Sequence, residues 1–576
     1  MILGVIFDFD NTIYDFDICN NSALNILFKK LSELTNKDIK IIKDLYSIIN
    51  KNVKVSNNTA NKFNKTIYIK KLLEELNISL INFEECLKIY NDEFNNNLKI
   101  NNGIIELLEL FKKNNIKIGL LSNNIFHQQY EKLKIFGLLK YFDVIQTSDE
   151  CGEEKPNINT YLMIQNKLGV SFENIVFIGD NYDHDILPVL KLKMLPFHYI
   201  INNHNNDHNN SDYMMLSEIG HYMILNKTTK NNDHNVLLKN NYIEFKNFID
   251  LVNYFDKYFK IVNELIFLSK YFGQSNLNIQ GPGGNISIKL DDIIFIKSSG
   301  AVLGNVSYNE GYCLANNKEC LKLLESKKEL ELKNTKIFGY KIPSMETFFH
   351  AFMKKYTVHI HFTLSNIFFC SNKKFNLDNF PYKYEIIKYI PPGLLLANAV
   401  YEKYSTECDI YFLENHGLII TNNNLNMIIE IYENIYKYFN NLLNNKFDDE
   451  YNTFLINKNY YFNENRSLVV RYIDSTIYDY NMLEKIKYCF PDLVIFIEKI
   501  KVVSNLEELY QNLDNYNIII LDKKIYLCAE NLIKIYYLVE LIDKYKILCE
   551  HSYQNLNMIN DTKYLQNMEQ EKFRKL

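Results

Sequence analysis

Residues 2–12, ILGVIFDFDNT, decide the fold of the first part of this chain. The segment begins with a continuous apolar run, which is typical of a strand buried on both faces of a parallel sheet. Two acidic residues, Asp8 and Asp10, stand where the run ends. Open α/β sheets bind ligands at the carboxyl ends of their strands, so both carboxylates are predicted to face a binding crevice.

Further strand-like runs occur at 116–121, 143–146 and 174–178, with segments of helical periodicity between them. This alternation predicts an α/β fold in which helices cover both faces of a parallel sheet. Between residues 18 and 98 the periodicity is helical throughout, which indicates a helical insertion after the first strand.

Two carboxylates at a strand end can take separate roles in phosphate ester hydrolysis. One carboxylate attacks phosphorus and forms an aspartyl-phosphate, while the other protonates the leaving alkoxide and later activates water. We assign Asp8 as the nucleophile and Asp10 as the acid/base.

Three further motifs follow in the chain: IGLLSNN with Ser122 and Asn123, GEEKPN with Lys155, and FIGDNYDHD with Asp180 and Asp185. Each alone is a common turn, but the ordered set resembles the haloacid dehalogenase-like superfamily. The helices at 18–98 resemble its cap, which closes over small substrates and excludes water.

The resemblance implies roles for these residues. Thr12, Ser122 and Asn123 are expected to bind the phosphoryl group, and Lys155 to neutralise the transition state and orient the nucleophile. The expected ligands of Mg²⁺, a hard cation that prefers oxygen donors, are Asp8, Asp10 through its carbonyl, Asp180 and Asp185. The acid at position 10 favours phosphate esters, because dehalogenases of the superfamily need no general acid there.

A second chemistry is predicted from histidines further along the chain. His359 and His361, in TVHIHF, lie two residues apart in a strand-like segment and should share one face. With His416, in YFLENHGLII, three imidazoles could bind a metal and leave one position open for substrate. Glu346, in IPSMETFFH, is predicted to move a proton beside that metal, whereas His350 is predicted to be structural.

Two Gly-rich turns, NIQGPGGNIS and IFIKSSGAVLG, could cradle a phosphate with backbone N–H groups. Together with the histidine and glutamate motifs they resemble, in order, the class II aldolase/adducin family over residues 258–450. The resemblance implies Zn²⁺ or another divalent transition metal on His359, His361 and His416, with Glu346 as proton carrier. The residues expected around the substrate phosphate are Gly284, Asn285, Ser299, Gly300 and Ser344.

We expect three domains: a capped hydrolase at 1–254, an aldolase-like domain at 255–462, and an α/β extension at 463–576. The segment YIEFKNFIDLVNYF is predicted to close the first domain as a helix, with a new helix after it. The Asn-rich stretch 201–240, including His204, His208 and His234, is interpreted as a surface loop. FPDLVIFIEK and LQNMEQEKFRKL resemble the longer rhamnulose-phosphate-aldolase-like proteins, and the extension is interpreted as architectural.

The composition excludes several classes of function. A net charge of −5 with three arginines offers no basic surface for nucleic acid. No apolar run reaches the roughly 18–20 residues of a membrane span. Ten cysteines without a Cys-x-x-Cys pair, and no secretion signal, favour the cytoplasm. By analogy with the aldolase family, the chain is expected to form homo-oligomers such as tetramers.

The sequence therefore predicts a bifunctional enzyme that acts on small phosphorylated sugars or ketoses, as a Mg²⁺-dependent phosphatase and a metal-dependent aldolase. Two alternatives remain open: a methylthioribulose-phosphate-type dehydratase fused to a phosphatase, and a phosphatase with a non-catalytic, adducin-like oligomerising module. The enolase-phosphatase branch carries glutamate where this chain has Asp10, which disfavours the first alternative.

Overall fold

The computed structural model describes most of the chain in two compact units, Ile2–Lys257 and Tyr258–Leu576. The described residues are 2–56, 60–201, 236–239, 242–339, 341–370, 377, 379–443, 460–463, 468–474, 491, 495, 497, 499–512, 516–521, 524–529 and 532–552. His204, His208, His234 and the closing LQNMEQEKFRKL motif lie outside these ranges, as does most of FPDLVIFIEK. The domain boundaries expected at 254 and 462 stay predictions.

The first unit is built on a seven-stranded sheet with the order β3-β2-β1-β4-β5-β7-β6. Its strands are β1 Gly4–Phe7, β2 Lys117–Ser122, β3 Val144–Thr147, β4 Ile175–Gly179, β5 Leu195–Tyr199, β6 Val236–Lys239 and β7 Tyr242–Phe245. All neighbours pair in parallel except β6 and β7. The predicted parallel α/β sheet is therefore confirmed, and every residue of β1 is buried, as its apolar run requires.

Helices surround this sheet and form the insertion after β1. They are α1 Phe16–Thr35, α2 Ile39–Ser56, α3 Lys65–Glu75, α4 Phe83–Asn96, α5 Ile104–Lys113, α6 Phe126–Ile135, α7 Ser148–Cys151, α8 Ile158–Leu168 and α9 Leu187–Lys191. The first four form the expected cap. The cap begins at α1, where the Asp15 side chain accepts a hydrogen bond from Ile18 N at 2.9 Å and satisfies a donor of the first turn.

The segment after residue 241 differs from its prediction. Tyr242–Phe245 is the strand β7, and a single helix, α10, runs from Phe248 to Gly273 without the expected break. The YIEF stretch alternates half-buried and buried side chains, which is the period of a strand. Asn247 then starts the helix, since its side-chain oxygen accepts from Asp250 N at 2.8 Å.

The second unit contains an eight-stranded sheet with the order β11-β10-β9-β8-β12-β15-β14-β13, antiparallel except for the β13–β14 pair. Its strands are β8 Asn285–Leu290, β9 Ile293–Lys297, β10 Tyr312–Asn316, β11 Lys336–Phe338, β12 Tyr356–Ile360, β13 Tyr384–Ile387, β14 Ile410–Leu413 and β15 Gly417–Asn422. Its helices are α11 Asn317–Ser326, α12 Thr347–Phe352, α13 Thr363–Phe369, α14 Leu394–Lys403 and α15 Leu425–Leu442. Buried apolar side chains from β9, β10, β14 and β15 pack with those of α11, α12 and α14 in a core of this unit.

The same unit includes a five-stranded sheet of order β16-β17-β20-β19-β18. Its elements are β16 Tyr460–Asn463, β17 Leu468–Asp474, β18 Ile500–Val502, α16 Leu506–Asn512, β19 Ile518–Leu521, β20 Lys524–Ala529 and α17 Leu532–Ser552. Among the helices that the structure describes, none has the length and apolar character that crossing a membrane would require.

Candidate catalytic sites

The first site lies at the carboxyl ends of three neighbouring strands. Asp8 follows β1, Ser122 ends β2, and Asp180 follows β4. Because β1 pairs in parallel with both β2 and β4, all three side chains meet at one edge of the sheet. The structure thus brings together residues that are 172 positions apart in the sequence, counted from Asp8 to Asp180.

Lys155 connects the acidic groups of this site. Its Nζ lies 2.6 Å from Asp8 Oδ1 and 2.6 Å from Asp185 Oδ1, and its side chain is buried. The Thr12 hydroxyl lies 2.9 Å from Asp8 Oδ2 and 3.2 Å from Asp180 Oδ1, so it can donate to either carboxylate. Carboxylate oxygens of Asp8, Asp180 and Asp185 all lie within 4.8 Å of one another.

These three carboxylates fit a hard divalent cation, which prefers oxygen ligands. Burial raises the pKa of Asp8 to about 6, with the charge of Asp185 adding to the effect and Lys155 opposing it. Burial and the charges of Asp8 and Asp185 raise the pKa of Asp180 to about 8. The site therefore holds more negative charge than Lys155 alone can neutralise. A bound cation would reduce the repulsion among the carboxylates.

Asp10 has a separate set of partners. Its Oδ1 accepts from Lys132 Nζ at 2.9 Å and from the Tyr14 hydroxyl, and its Oδ2 accepts from Gln129 Nε2 at 2.8 Å. Burial alone would raise the pKa of Asp10, but the Lys132 charge and these hydrogen bonds outweigh it and lower the pKa. Gln129 and Lys132 were not predicted from the sequence, since they stand on the helix α6 without a distinctive motif.

Ser122 and Asn123 follow the same strand but differ in what they contact. The Ser122 hydroxyl accepts from Gln129 Nε2 at 2.6 Å. The Asn123 amide donates to the carbonyl of Lys155 at 3.0 Å and accepts from its N–H at 2.8 Å. Asn123 therefore holds the backbone that presents the lysine, and its predicted contact with phosphate stays a prediction.

A cavity of about 970 Å³ opens above these residues. Its floor includes Asp8, Asp10, Ser122 and Lys155, and its walls include side chains from the cap helices. This volume is at the upper end of the range of about 300–1,000 Å³ that small-molecule sites occupy. The cavity can hold a phosphorylated sugar.

The second site gathers three histidines around the end of β12. His359 lies in β12, His361 follows its last residue, and His416 immediately precedes β15, the antiparallel neighbour of β12. The ring centroids are 5.1 Å apart for His359 and His361, 4.9 Å for His359 and His416, and 5.1 Å for His361 and His416. One nitrogen from each lies within 4.8 Å of the others, and all three side chains are buried.

This donor set fits a metal that prefers imidazole nitrogen, such as Zn²⁺. His359 Nδ1 lies 3.2 Å from the carbonyl of Leu418, so it donates there and leaves Nε2 as the ligand atom. Glu346 lies beside the cluster, with its carboxylate oxygens 3.6 Å from His359 Nε2 and 3.4 Å from His416 Nε2. Asn285 Nδ2 donates to the same carboxylate. His350, by contrast, bonds the Ser287 hydroxyl at 2.7 Å and is fully buried.

Gly-rich turns form the rest of this site. A Cβ on Gly283 would lie 2.8 Å from His361 Nδ1, so this position accepts no side chain without moving the imidazole. A small cavity is lined by the predicted residues Gly284, Asn285, Ser299, Gly300, Ser344 and Glu346, together with His361 and His416.

Lys297 also lines the cavity, although no sequence motif selects it. Its buried Nζ donates to the carbonyl of Pro282 at 2.8 Å and to that of Ala301 at 2.7 Å. It thereby ties the two Gly-rich turns together and supplies positive charge where the substrate phosphate is expected.

The carboxy-terminal region contributes to this site too. Lys544, on α17, is buried and donates to the carbonyl of His361 at 2.7 Å and to Gln280 Oε1 at 2.9 Å. On the same helix Glu540 accepts from the N–H of Gly281 at 2.6 Å. This region therefore holds the backbone of a predicted metal ligand, and its interpretation as architectural stays a prediction.

Comparison with known proteins relates the two site-bearing regions of the chain to two families. The haloacid dehalogenase-like hydrolase family matches residues 5–194. The protein YhcW of Bacillus subtilis is 30% identical over 191 residues, which are 32% of this chain and 78% of that protein. The chain belongs to the haloacid dehalogenase-like hydrolases. This hydrolase also carries a class II aldolase and adducin N-terminal domain, which matches residues 263–440.

Other relatives of the hydrolase region are named phosphatases. The glyceraldehyde 3-phosphate phosphatase of Methanothermobacter thermautotrophicus is 28% identical, over 32% of this chain and 80% of that protein. The ribulose-1,5-bisphosphate 5-phosphatase of Halopiger xanaduensis is 26% identical, over 32% of this chain and 80% of that protein.

Solved structures resemble each region of the hydrolase. A HAD phosphatase from Thermococcus onnurineus is 20% identical with a TM-score of 0.31, over 44% of this chain and 98% of that chain. The N-terminal class II aldolase domain of a conserved protein from Thermoplasma acidophilum is 24% identical with a TM-score of 0.29, over 32% of this chain and 93% of that chain.

Proposed function

We propose that the first unit hydrolyses the phosphate monoesters of small sugar-like molecules. The observation that carries this proposal is the buried contact of Lys155 with both Asp8 and Asp185, at 2.6 Å each, beside Asp180. A buried ammonium among three carboxylates, at the open edge of a parallel sheet, is an arrangement for binding and transferring a phosphoryl group.

In this proposal Asp8 attacks phosphorus as the P–O ester bond of the substrate breaks. Asp10 takes up a proton, against the effect of Lys132 that lowers its pKa, and donates this proton to the leaving alkoxide. Water then attacks the phosphorus of the aspartyl-phosphate while Asp10 accepts a proton, which releases phosphate and restores Asp8. Lys155 orients Asp8 and offsets its charge. Mg²⁺ held by Asp8, Asp180 and Asp185 would supply further positive charge for the phosphoryl oxygens.

We also propose that the second unit is a class II aldolase-type lyase for a phosphorylated ketose. Its support is the cluster of three buried histidines with Glu346 within 3.6 Å of two of them. A divalent transition metal there would polarise a substrate carbonyl. Glu346 would move the proton, and the Gly-rich turns with Lys297 would bind the phosphate.

Both units would thus act on small phosphorylated carbohydrates, the class of compound that the named relatives of the hydrolase region act on. We propose residues 1–254, 255–462 and 463–576 as the hydrolase, the aldolase-like domain and its extension. The extension supports the lyase site through Lys544.

A test of the phosphatase compares phosphate release from a panel of sugar phosphates by the wild type, Asp8→Asn and the control Asp183→Asn. Asp183 is exposed in the π-helical turn Tyr182–Ile186, which follows Asp180, so its variant matches the change in charge. We expect Mg²⁺-dependent release by the wild type and the control, and a loss of at least about 1,000-fold in Asp8→Asn, since a nucleophile has no substitute. Release that Asp8→Asn leaves intact would reject this half of the proposal.

The lyase is tested through its metal and its products. We expect about one transition metal ion per chain in the purified protein, lost in His359→Ala and kept in His127→Ala, a control histidine outside the cluster. Release of an aldehyde from a ketose phosphate would distinguish an aldolase from the dehydratase alternative, which loses water instead. A wild-type protein without bound metal would instead favour the adducin-like module.

A further inference from the structure

Three of the lysines that line the phosphatase cavity lie on α-helices of the cap and core, and two of them, Lys54 and Lys65, take no part in the proposed chemistry. Lys54 of α2 and Lys65 of α3 line the cavity from the cap, and Lys132 of α6 lines it from the core. These residues form what we term the lysine cluster. They face the same cavity as Asp8, so a molecule bound there meets the nucleophile and the cluster together.

The position of Lys65 is defined by aromatic side chains. Its Nζ lies 5.7 Å from the centre of the Phe16 ring, 5.2 Å from that of Tyr68, and 3.4 Å from the Tyr46 hydroxyl. Lys132 Nζ lies 5.5 Å from the centre of the same Phe16 ring. Two ammonium groups therefore approach a single ring inside the cavity.

The two ammonium groups differ in whether a carboxylate lies within ion-pair distance. Lys132 is paired with Asp10 at 2.9 Å. Among the described residues no carboxylate oxygen lies within 4.0 Å of Lys65 Nζ, whose polar contact is the neutral Tyr46 hydroxyl. Burial, and then the charges of Lys54 and Lys132, lower the pKa of Lys65 to about 8, and the charges of Asp10 and Asp17 oppose this effect. Lys54 is exposed, but Lys65 and Lys132 are partly desolvated, and two such cations beside one another are costly unless an anion accompanies them.

We propose that the lysine cluster binds a second anionic group of the substrate, a phosphate or a carboxylate, while the scissile phosphate lies at Asp8. This inference rests on the proposed phosphatase function and specifies its substrate class: phosphorylated sugars or sugar acids that carry a further negative charge. A substrate with a neutral far end would leave Lys65 without an anion within ion-pair distance. The cavity, at about 970 Å³, has room for both groups.

The experiment compares matched substrates that differ in the far group. Fructose 1,6-bisphosphate is set against fructose 6-phosphate, and 3-phosphoglycerate against glycerol 3-phosphate, with p-nitrophenyl phosphate as a general substrate. We expect the wild type to prefer the doubly anionic member of at least one pair by 10-fold or more in kcat/KM, mainly through KM. The pair that shows the preference tells whether the far group is a phosphate or a carboxylate.

Variants of Lys65 test whether the cluster causes this preference. Lys65→Met should reduce the ratio of kcat/KM within the responding pair at least 5-fold, and Lys65→Arg should retain most of it. Lys70→Met is the control, because Lys70 is exposed on the same helix and pairs with Glu74. Its ratio should equal that of the wild type.

Two results would overturn the inference: a wild type that treats both members of each pair alike, or a preference that Lys65→Met leaves unchanged although the variant is folded by circular dichroism. Failure to hydrolyse every substrate, p-nitrophenyl phosphate included, would instead reject the phosphatase function itself.

Discussion

Replacement of Lys155 by methionine should destabilise the first unit and make its stability depend on Mg²⁺. The change removes two contacts of 2.6 Å from a buried ammonium and leaves Asp8 and Asp185, which are 7% and 1% exposed, beside Asp180. Removal of one partner from a buried ion pair typically costs about 3–5 kcal/mol. The raised pKa values of Asp8 and Asp180 allow proton uptake near pH 7, which places the expected cost near the lower limit, at about 3 kcal/mol.

For a unit of this size about 1 kcal/mol shifts Tm by about 2–4 °C, so the expected decrease is about 6–12 °C in EDTA. Millimolar Mg²⁺ should recover much of this loss, because the cation replaces the missing positive charge among the three carboxylates. Differential scanning calorimetry with and without Mg²⁺ measures both effects.

The matched control is Lys167→Met, which removes an exposed lysine 3.6 Å from Glu150. An exposed ion pair contributes about 0–1 kcal/mol, so its Tm should stay within about 4 °C of the wild type. The reasoning would be refuted by a Lys155→Met protein whose Tm in EDTA equals that of the wild type. It would also be refuted if Mg²⁺ stabilised the variant and the wild type equally.

Three more outcomes are expected in the second unit. Lys544→Met should weaken metal binding at least 10-fold in chelator competition, because the carbonyl of His361 and Gln280 Oε1 lose a buried charged donor; unchanged affinity would contradict this. Gly283→Ala should also release metal on dialysis, since its Cβ would press on the His361 ring; full retention would show that the ring can move. Burial lowers the pKa of Lys289 to about 7, so the folded state holds fewer protons and the free energy of unfolding should rise between about pH 7 and 10. Lys289→Met should flatten that rise in urea denaturation, and identical pH profiles would contradict it.

Much of the architecture follows from local patterns. The apolar run before Asp8 predicts a strand buried on both faces, and parallel strands place their carboxyl ends together, so Asp8, Ser122 and Asp180 could be assigned to one edge from the sequence. The two-residue spacing of His359 and His361 likewise predicts a shared face. Strand β7 and the uninterrupted helix α10 were missed because YIEFKNF satisfies a helical pattern as well as a strand pattern until Asn247 caps the helix.

The sequence by itself determined strands β1 to β4 of the first sheet and which acids and histidines can carry chemistry, because strand period and motif order are local properties. Only the tertiary structure decided which lysines contact these groups. Lys132 reaches Asp10 across 122 residues and Lys544 reaches His361 across 183, and no spacing rule connects such positions. A long cationic side chain on a helix has the same local pattern whether it faces water or a buried carboxylate. Its role is therefore set by what packing brings within reach of its ammonium group.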